Sequence, residues 1–129
     1  MITRSMEPQK LEAYALADEW KPVDKFFSSA KPEELAALVP FARQNLSSPN
    51  GNLQDLGATI FQKYTGVITL ADRKLLMQII ENPGNPFARY RAGFALWIHG
   101  EKSDYVKSII EEAKTCADVA SIARKLLKK

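Results

Sequence analysis

Residues 85–100 read Asn85-Pro86-Phe87-Ala88-Arg89-Tyr90-Arg91-Ala92-Gly93-Phe94-Ala95-Leu96-Trp97-Ile98-His99-Gly100. Asparagine is a favoured N-cap, proline a favoured first helical residue and glycine a favoured stop after the last turn. The stretch therefore predicts one helix from Pro86 to His99. Phe87, Tyr90, Phe94 and Trp97 recur at steps of three and four, which places them on one face. Ala88, Ala92 and Ala95 make a stripe of small residues beside them. Apolar character on two sides predicts a helix packed between neighbours, not one on the outside of a domain.

Similar punctuation continues in both directions. Upstream, Thr69 with Asp72 opens a helix carrying Leu75, Leu76, Ile79 and Ile80, although a capping box prefers Glu or Gln at its third position. Asn52 with Asp55 reads as a cap for a helix through Leu53, Leu56, Ile60, Phe61 and Tyr64, stopped by Gly66. Pro32 with Glu33 and Glu34 starts a helix over about 32–47. Pro40 lies inside it, and the apolar spacing Leu35, Leu38, Val39, Ala42, Leu46 continues across, so one bent helix is expected instead of two. The start of the chain predicts a helix from Pro8 to Trp20, with Leu11, Ala15 and Leu16 on its apolar face. A short helix after Pro22 would hold Val23, Phe26 and Phe27. Downstream, amphipathic helices are expected over about 103–114 and 117–127.

Eight short helices with tight turns invite a search for a period, and one of about 34 residues emerges. Gln44 and Gln78, Pro49 and Pro83, Ala58 and Ala92, and Gly66 and Gly100 each stand at that offset. Leu38-Val39-Pro40-Phe41, followed by Leu46-Ser47-Ser48-Pro49-Asn50 and a helix from Leu53, resembles a HEAT repeat of the armadillo-type helical proteins. In that family the first helix of a pair often carries a proline, and an Asp-Pro-like turn leads to the second. Asn85 to Leu96 is similar to the family's turn, apolar residue, arginine and alanine-rich helix, and the last copy keeps Val119, Ala123 and Leu126 or Leu127. The likeness covers 32–129 and leaves 1–31 aside. Gln54 stands where the family arginine belongs, and the middle copy has Lys74 or Leu75 in place of the proline. Tetratricopeptide repeats share the period, but their Trp, Leu-Gly, Tyr and Ala pattern fits Arg89–Ala113 less well. The resemblance implies an all-α, short right-handed α-α superhelix. Its single domain would hold an N-terminal helical cap (1–31) and helical hairpins at 32–66, 67–100 and 101–129. Stacked pairs would share one core that no pair can bury alone.

The chain has 129 residues, 46% hydrophobic and 26% charged, which is one ordinary globular domain. No apolar run is long enough for a membrane helix, and Met1 to Pro8 lacks a signal-peptide core, so a cytoplasmic location without membrane contact is expected. One cysteine, Cys116, forbids an internal disulfide, and one histidine, His99, argues against a histidine metal site. The net charge of +3 is uneven: residues 1–64 carry seven bases and eight acids, residues 65–129 eleven bases and seven acids. Acids interleave with bases throughout, as on a mixed, solvated surface. The closing Lys125-Leu126-Leu127-Lys128-Lys129 suits the last turn of a helix.

Neither a phosphate loop nor a Gly-x-Ser-x-Gly elbow occurs. Cys116, placed near a predicted helix start, has only His99 as a base, about half a repeat away. The carboxylate pairs Asp18-Glu19, Glu33-Glu34 and Glu111-Glu112 are helix neighbours pointing about 100° apart, so they do not converge on one atom. His99 before Gly100 suits a helix C-terminus. No enzyme, cofactor or metal is therefore expected. Fold and missing catalytic groups together point to a module that binds another protein on the concave row of second helices. Gln54, Asp55, Lys63, Arg91, Arg124 and Lys125 are the candidate exposed residues there. The alternative is nucleic-acid binding, with Arg89, Arg91, Arg124, Lys125, Lys128 and Lys129 on phosphates. For Arg89 the resemblance implies instead a structural role, paired with an acid of the neighbouring repeat. Trp20, Phe26 and Phe27 would either close the core at the cap or form an apolar binding patch.

Overall fold

The computed structural model describes residues 7–128; the reading of Met1–Met6 and of the terminal Lys129 lies outside them. Among the described residues the fold is all-α, with eight helices: α1 (Pro8–Leu16), α2 (Trp20–Ser29), α3 (Pro32–Leu46), α4 (Gly51–Lys63), α5 (Leu70–Glu81), α6 (Pro86–Ile98), α7 (Asp104–Ala113) and α8 (Ala120–Leu127). No helix among the described residues is long and apolar enough to cross a membrane. Consecutive pairs pack together: α3 on α4, α5 on α6, α7 on α8. Across pairs, α4 packs on α6 and α3 on α5, while α7 and α8 both pack on α6. The central position expected for the aromatic helix is therefore observed. Ala88, Ala92 and Ala95 are fully buried, and Tyr90, Phe94 and Trp97 belong to the core. The fourth aromatic of that stripe, Phe87, is only partly buried.

Local boundaries show where capping chemistry overrode periodicity. α1 stops at Leu16, four residues before the expected end. Asp18 adopts φ 59°, a left-handed conformation that aspartate is one of the few residues besides glycine to tolerate. The Glu19 N–H then donates to the Tyr14 carbonyl at 2.8 Å and the Asp18 N–H to the Ala15 carbonyl at 3.0 Å, a Schellman closure. Leu16 is consequently 50% exposed and leaves the expected apolar face. α2 starts at Trp20, ahead of Pro22. The second such closure is the expected one: Gly100 has φ 93°, and Glu101 N–H reaches the Leu96 carbonyl at 2.8 Å. α3 runs through Pro40 as a single helix. Thr69 and Asp72 do form a reciprocal capping box, aspartate serving in place of the preferred glutamate.

The cap of α4 is Asn50, not Asn52. The Asn50 side-chain oxygen accepts from the Asn52 and Leu53 N–H groups. Asn52 is thereby released for a different job. Its amide donates to the Ala15 carbonyl at 2.9 Å and its oxygen accepts from the Asn85 amide at 2.9 Å. Cys116 lies in the turn before α8, four residues ahead of its first helical residue, and not at a helix start. The α8 start moves from the expected 117 to Ala120.

Polar bonds between successive pairs tie the stack. Arg89 holds Glu112 of α7 with two bonds, 3.0 and 3.2 Å, and donates to the Ile80 carbonyl at 2.6 Å. Arg43 of α3 holds Asp72 of α5 with bonds of 2.6 and 3.0 Å. His99 is bonded through Nε2 to the Phe61 carbonyl at 2.8 Å, linking α6 to α4, and its ring leans on Tyr64.

Candidate functional site

The α1–α2 bend, α4, α6 and the α7–α8 turn surround a cleft of about 390 Å³. Ligand pockets run from about 300 to 1,000 Å³, so this one suits a side chain or a small group. Its lining is mixed. Asp18, Trp20, Val23 and Asp24 come from the bend and α2, Asp55 and Thr59 from α4, Phe87 and Arg91 from α6, and Asp118 and Val119 from the turn before α8. The early stop of α1 creates the first group. Asp18 in its left-handed conformation accepts the Trp20 indole N–H at 2.6 Å, which fixes the ring at the cleft edge.

Asp55 and Arg91 carry the electrostatics. Asp55 is 8% exposed. One of its oxygens accepts the Thr59 hydroxyl at 3.2 Å, and the Arg91 Nε stands 3.7 Å from the same oxygen, too far for a hydrogen bond. Arg91 donates instead to the Gln62 side chain at 3.1 Å. Burial pushes the Asp55 carboxyl from its ordinary 3.8 up to about 6; Arg91 and Thr59 pull against this, and Asp24 and Asp18 add to it. Burial and Arg91 likewise hold the Lys63 ammonium below its ordinary range, with Asp24 opposing.

The raised carboxyl has a thermodynamic sign. Between pH 4 and 6 the folded chain holds a proton that the unfolded chain has lost, so stability falls as pH rises through this window and the full cost remains above it. Asp55→Asn keeps the acceptor for Thr59 and removes the buried charge. It is expected to stabilise the fold by about 2–3 kcal/mol at pH 7.5, up to the worth of the whole shift, which is already net of the Arg91 attraction. At pH 4 the gain should vanish. Urea unfolding at the two pH values checks this; equal effects at both would show that Asp55 titrates normally.

Of the six candidate contact residues, the cleft brings Asp55 and Arg91 together, and Lys63 lies close enough to feel Arg91 and Asp24. Arg124 and Lys125 are exposed on α8 and do not line the cleft. Three expectations of exposure are corrected, and the mildest case is Arg91, whose side chain is 18% exposed. Gln54 and Asp55 are both buried, at 7% and 8%. Gln54 donates to the Ser48 carbonyl at 2.8 Å and accepts the Gly84 N–H at 2.8 Å, bracing the α3–α4 turn against the α5–α6 turn. Asp55 lies where α6 packs on α4, in a cleft that residues of the α1–α2 bend, α2 and the turn before α8 also line, an arrangement no helical periodicity encodes. Arg89 and Arg91, offered to nucleic acid in the alternative reading, have protein partners.

Sequence reasoning missed Asp18, Asp24, Asp118, Thr59 and Phe87. Only Trp20 carried a signal, as an aromatic at the cap. The carboxylates are isolated in sequence and meet only through the fold. No group of three or more histidine, cysteine, aspartate or glutamate side chains among the described residues is placed to hold a metal ion. No protein-family model matches the chain, and no curated protein or solved structure does.

Proposed function

We propose that this chain is a non-enzymatic interaction module, built as a short HEAT-like superhelix, that docks a segment of another protein on the face of α4 and α6. The observation that carries this reading is the cleft of about 390 Å³, to which side chains from four separate stretches contribute. It lies along the second helices of the stacked pairs, where α4 and α6 pack together. Its groups suit binding more than bond-making. The buried Asp55 has no histidine or cysteine beside it in the cleft, and its one hydroxyl neighbour is Thr59, whereas catalysis needs titratable groups converging on one reacting atom. The aromatic rings of Trp20 and Phe87 offer the rigid apolar area that anchors protein contacts.

The test is capture from native lysate with a salt series, using three proteins: the unmodified chain, Asp118→Trp and Ala36→Trp. Asp118 is exposed at the cleft mouth, and Ala36 is exposed on α3, which contributes nothing to the lining. A protein partner should survive moderate salt on the unmodified chain and on Ala36→Trp, and be lost on Asp118→Trp. Equal capture by all three would refute docking at the cleft. Nucleic acid released steeply as salt rises would favour phosphate contacts by Arg124, Lys125 and Lys128 instead.

A further inference from the structure

We propose that Asn50–Gly51 is a self-modification site that the fold holds shut: Asn50 loses its side-chain amide only when the α3–α4 turn and the α5–α6 turn part. The chain has five asparagines, at 45, 50, 52, 82 and 85, and the residue after each decides whether it can react. In deamidation the following backbone nitrogen attacks the asparagine Cγ. Proline after Asn82 and Asn85 has no N–H to give up, and leucine after Asn45 and Asn52 crowds its nitrogen with a side chain. Only Asn50 precedes a glycine, and it is exposed to the water that the reaction consumes.

The step balances without a cofactor. The Gly51 amide gives its proton to solvent, its nitrogen bonds to the Asn50 Cγ, and Nδ2 takes up a proton and leaves as ammonia. One water then opens the five-membered imide. Attack at Cγ gives an aspartyl residue at position 50. Attack at the backbone carbonyl carbon gives an isoaspartyl residue, whose main chain runs on through Cβ and Cγ.

The native geometry forbids the ring. It must hold Cβ, Cα, the carbonyl carbon and the Gly51 nitrogen in one plane, which for an L residue sets ψ of Asn50 at about −120°. Asn50 has ψ 122°, so the Gly51 peptide plane must swing through roughly a third of a turn, to a ψ outside both the extended and the helical regions. That swing costs the helix cap, because the Asn50 side-chain oxygen accepts from Asn52 N–H at 2.9 Å and from Leu53 N–H at 3.1 Å. It also displaces the Gly51 backbone, which lies so close to Gly84 that a Cβ on Gly84 would stand 2.6 Å from the Gly51 nitrogen. Gly84 is held in turn by Gln54, which accepts its N–H at 2.8 Å. The reaction therefore waits for the turns to separate. An isoaspartyl product, one main-chain atom longer, cannot restore both the cap and the close approach, so the modification is a one-way record of the α3–α4 and α5–α6 pairs coming apart.

The test follows position 50 of the full chain at neutral pH, native and in urea, by peptide mapping that resolves asparaginyl, aspartyl and isoaspartyl forms. Hydrogen exchange of the Gly84 amide, read by NMR, measures the parting of the turns in the native chain. The native chain should deamidate at least about tenfold more slowly than the unfolded one, and by the factor that protects the Gly84 amide to within about threefold. Gln54→Ala removes the bridge between the turns and should speed both processes about three- to tenfold in native buffer. After dilution from urea, the aspartyl form should regain Gly84 protection and the isoaspartyl form should not. Equal rates in the native and unfolded chains, protection of Gly84 without protection of Asn50, or a Gln54→Ala chain with faster exchange and unchanged deamidation would each overturn the inference. Equal recovery by the two products would overturn the one-way record.

Discussion

Arg43→Met is expected to destabilise the fold by about 2–3 kcal/mol, although Arg43 lies in no cleft and its side chain is 42% exposed. The reason is the partner. Asp72 is fully buried, and with Arg43 gone its charge keeps only the Thr69 backbone N–H and the local capping box. Removing one side of a buried pair costs roughly 3–5 kcal/mol, and the exposure of the guanidinium places this case at or below the lower end. In the Asp72→Asn background the same substitution should cost under about 1 kcal/mol, because no buried charge is then abandoned. The pair also has a pH signature. Burial would raise the Asp72 carboxyl, but the bonds from Arg43 and Thr69 overcome it and hold the pKa below its ordinary 3.8. A depressed carboxyl contributes stability that is complete above the unfolded pKa and lost as pH falls through the folded one. Urea unfolding of the four proteins between pH 2.5 and 7 (about the range needed to cross both states) completes the cycle. Additive losses would show that the two residues act independently.

Gly84→Ala should cost about 2–3 kcal/mol through a different mechanism. A Cβ on Gly84 would stand 2.6 Å from both the Cα and the N of Gly51, and a Cβ on Gly51 would stand 2.6 Å from the Gly84 carbonyl carbon. The obstacle on each side is backbone, which cannot rotate away as a side chain does. The two turns would have to separate, which stretches the Gln54 bridge between them and the Asn52–Asn85 bond beside it. Gly51→Ala should cost a similar amount, and the double variant clearly less than the sum, since the first methyl already parts the turns. Thermal melts of the three variants decide the matter; full additivity would mean that the turns do not depend on this approach.

These two contacts mark what one sequence discloses and what it withholds. Asn85, Pro86 and Gly100 act locally, and the helix they bracket is found where they put it. Periodicity also foretold that α6 lies between neighbours, because a helix apolar on two sides has nowhere else to go. The failures are of two kinds. Some are local competitions: Asn50 outbid Asn52 for the α4 cap, and Asp18 entered a left-handed conformation that no periodic pattern signals. Others are tertiary. Asp18, Asp24, Asp55 and Asp118 span 100 positions of chain between the first and last, and nothing local says that they meet. Gln54 and Asp55 were polar residues on a presumed open face, and they became buried because elements distant in sequence cover that face. Arg89 shows the opposite case: a structural pairing with an acid of the following helix pair was expected from a resemblance alone, and Glu112 supplies such a partner.

Photocrosslinking in the native cell tests docking at the cleft most directly. A benzophenone amino acid would replace Asp24, exposed on α2 at the cleft, or Ala36, exposed on α3 away from it. A discrete protein adduct from position 24, absent from position 36, is the predicted result. Equal adducts at both positions, an adduct at 36 alone, or none at 24 would contradict a partner seated between α2, α4 and α6.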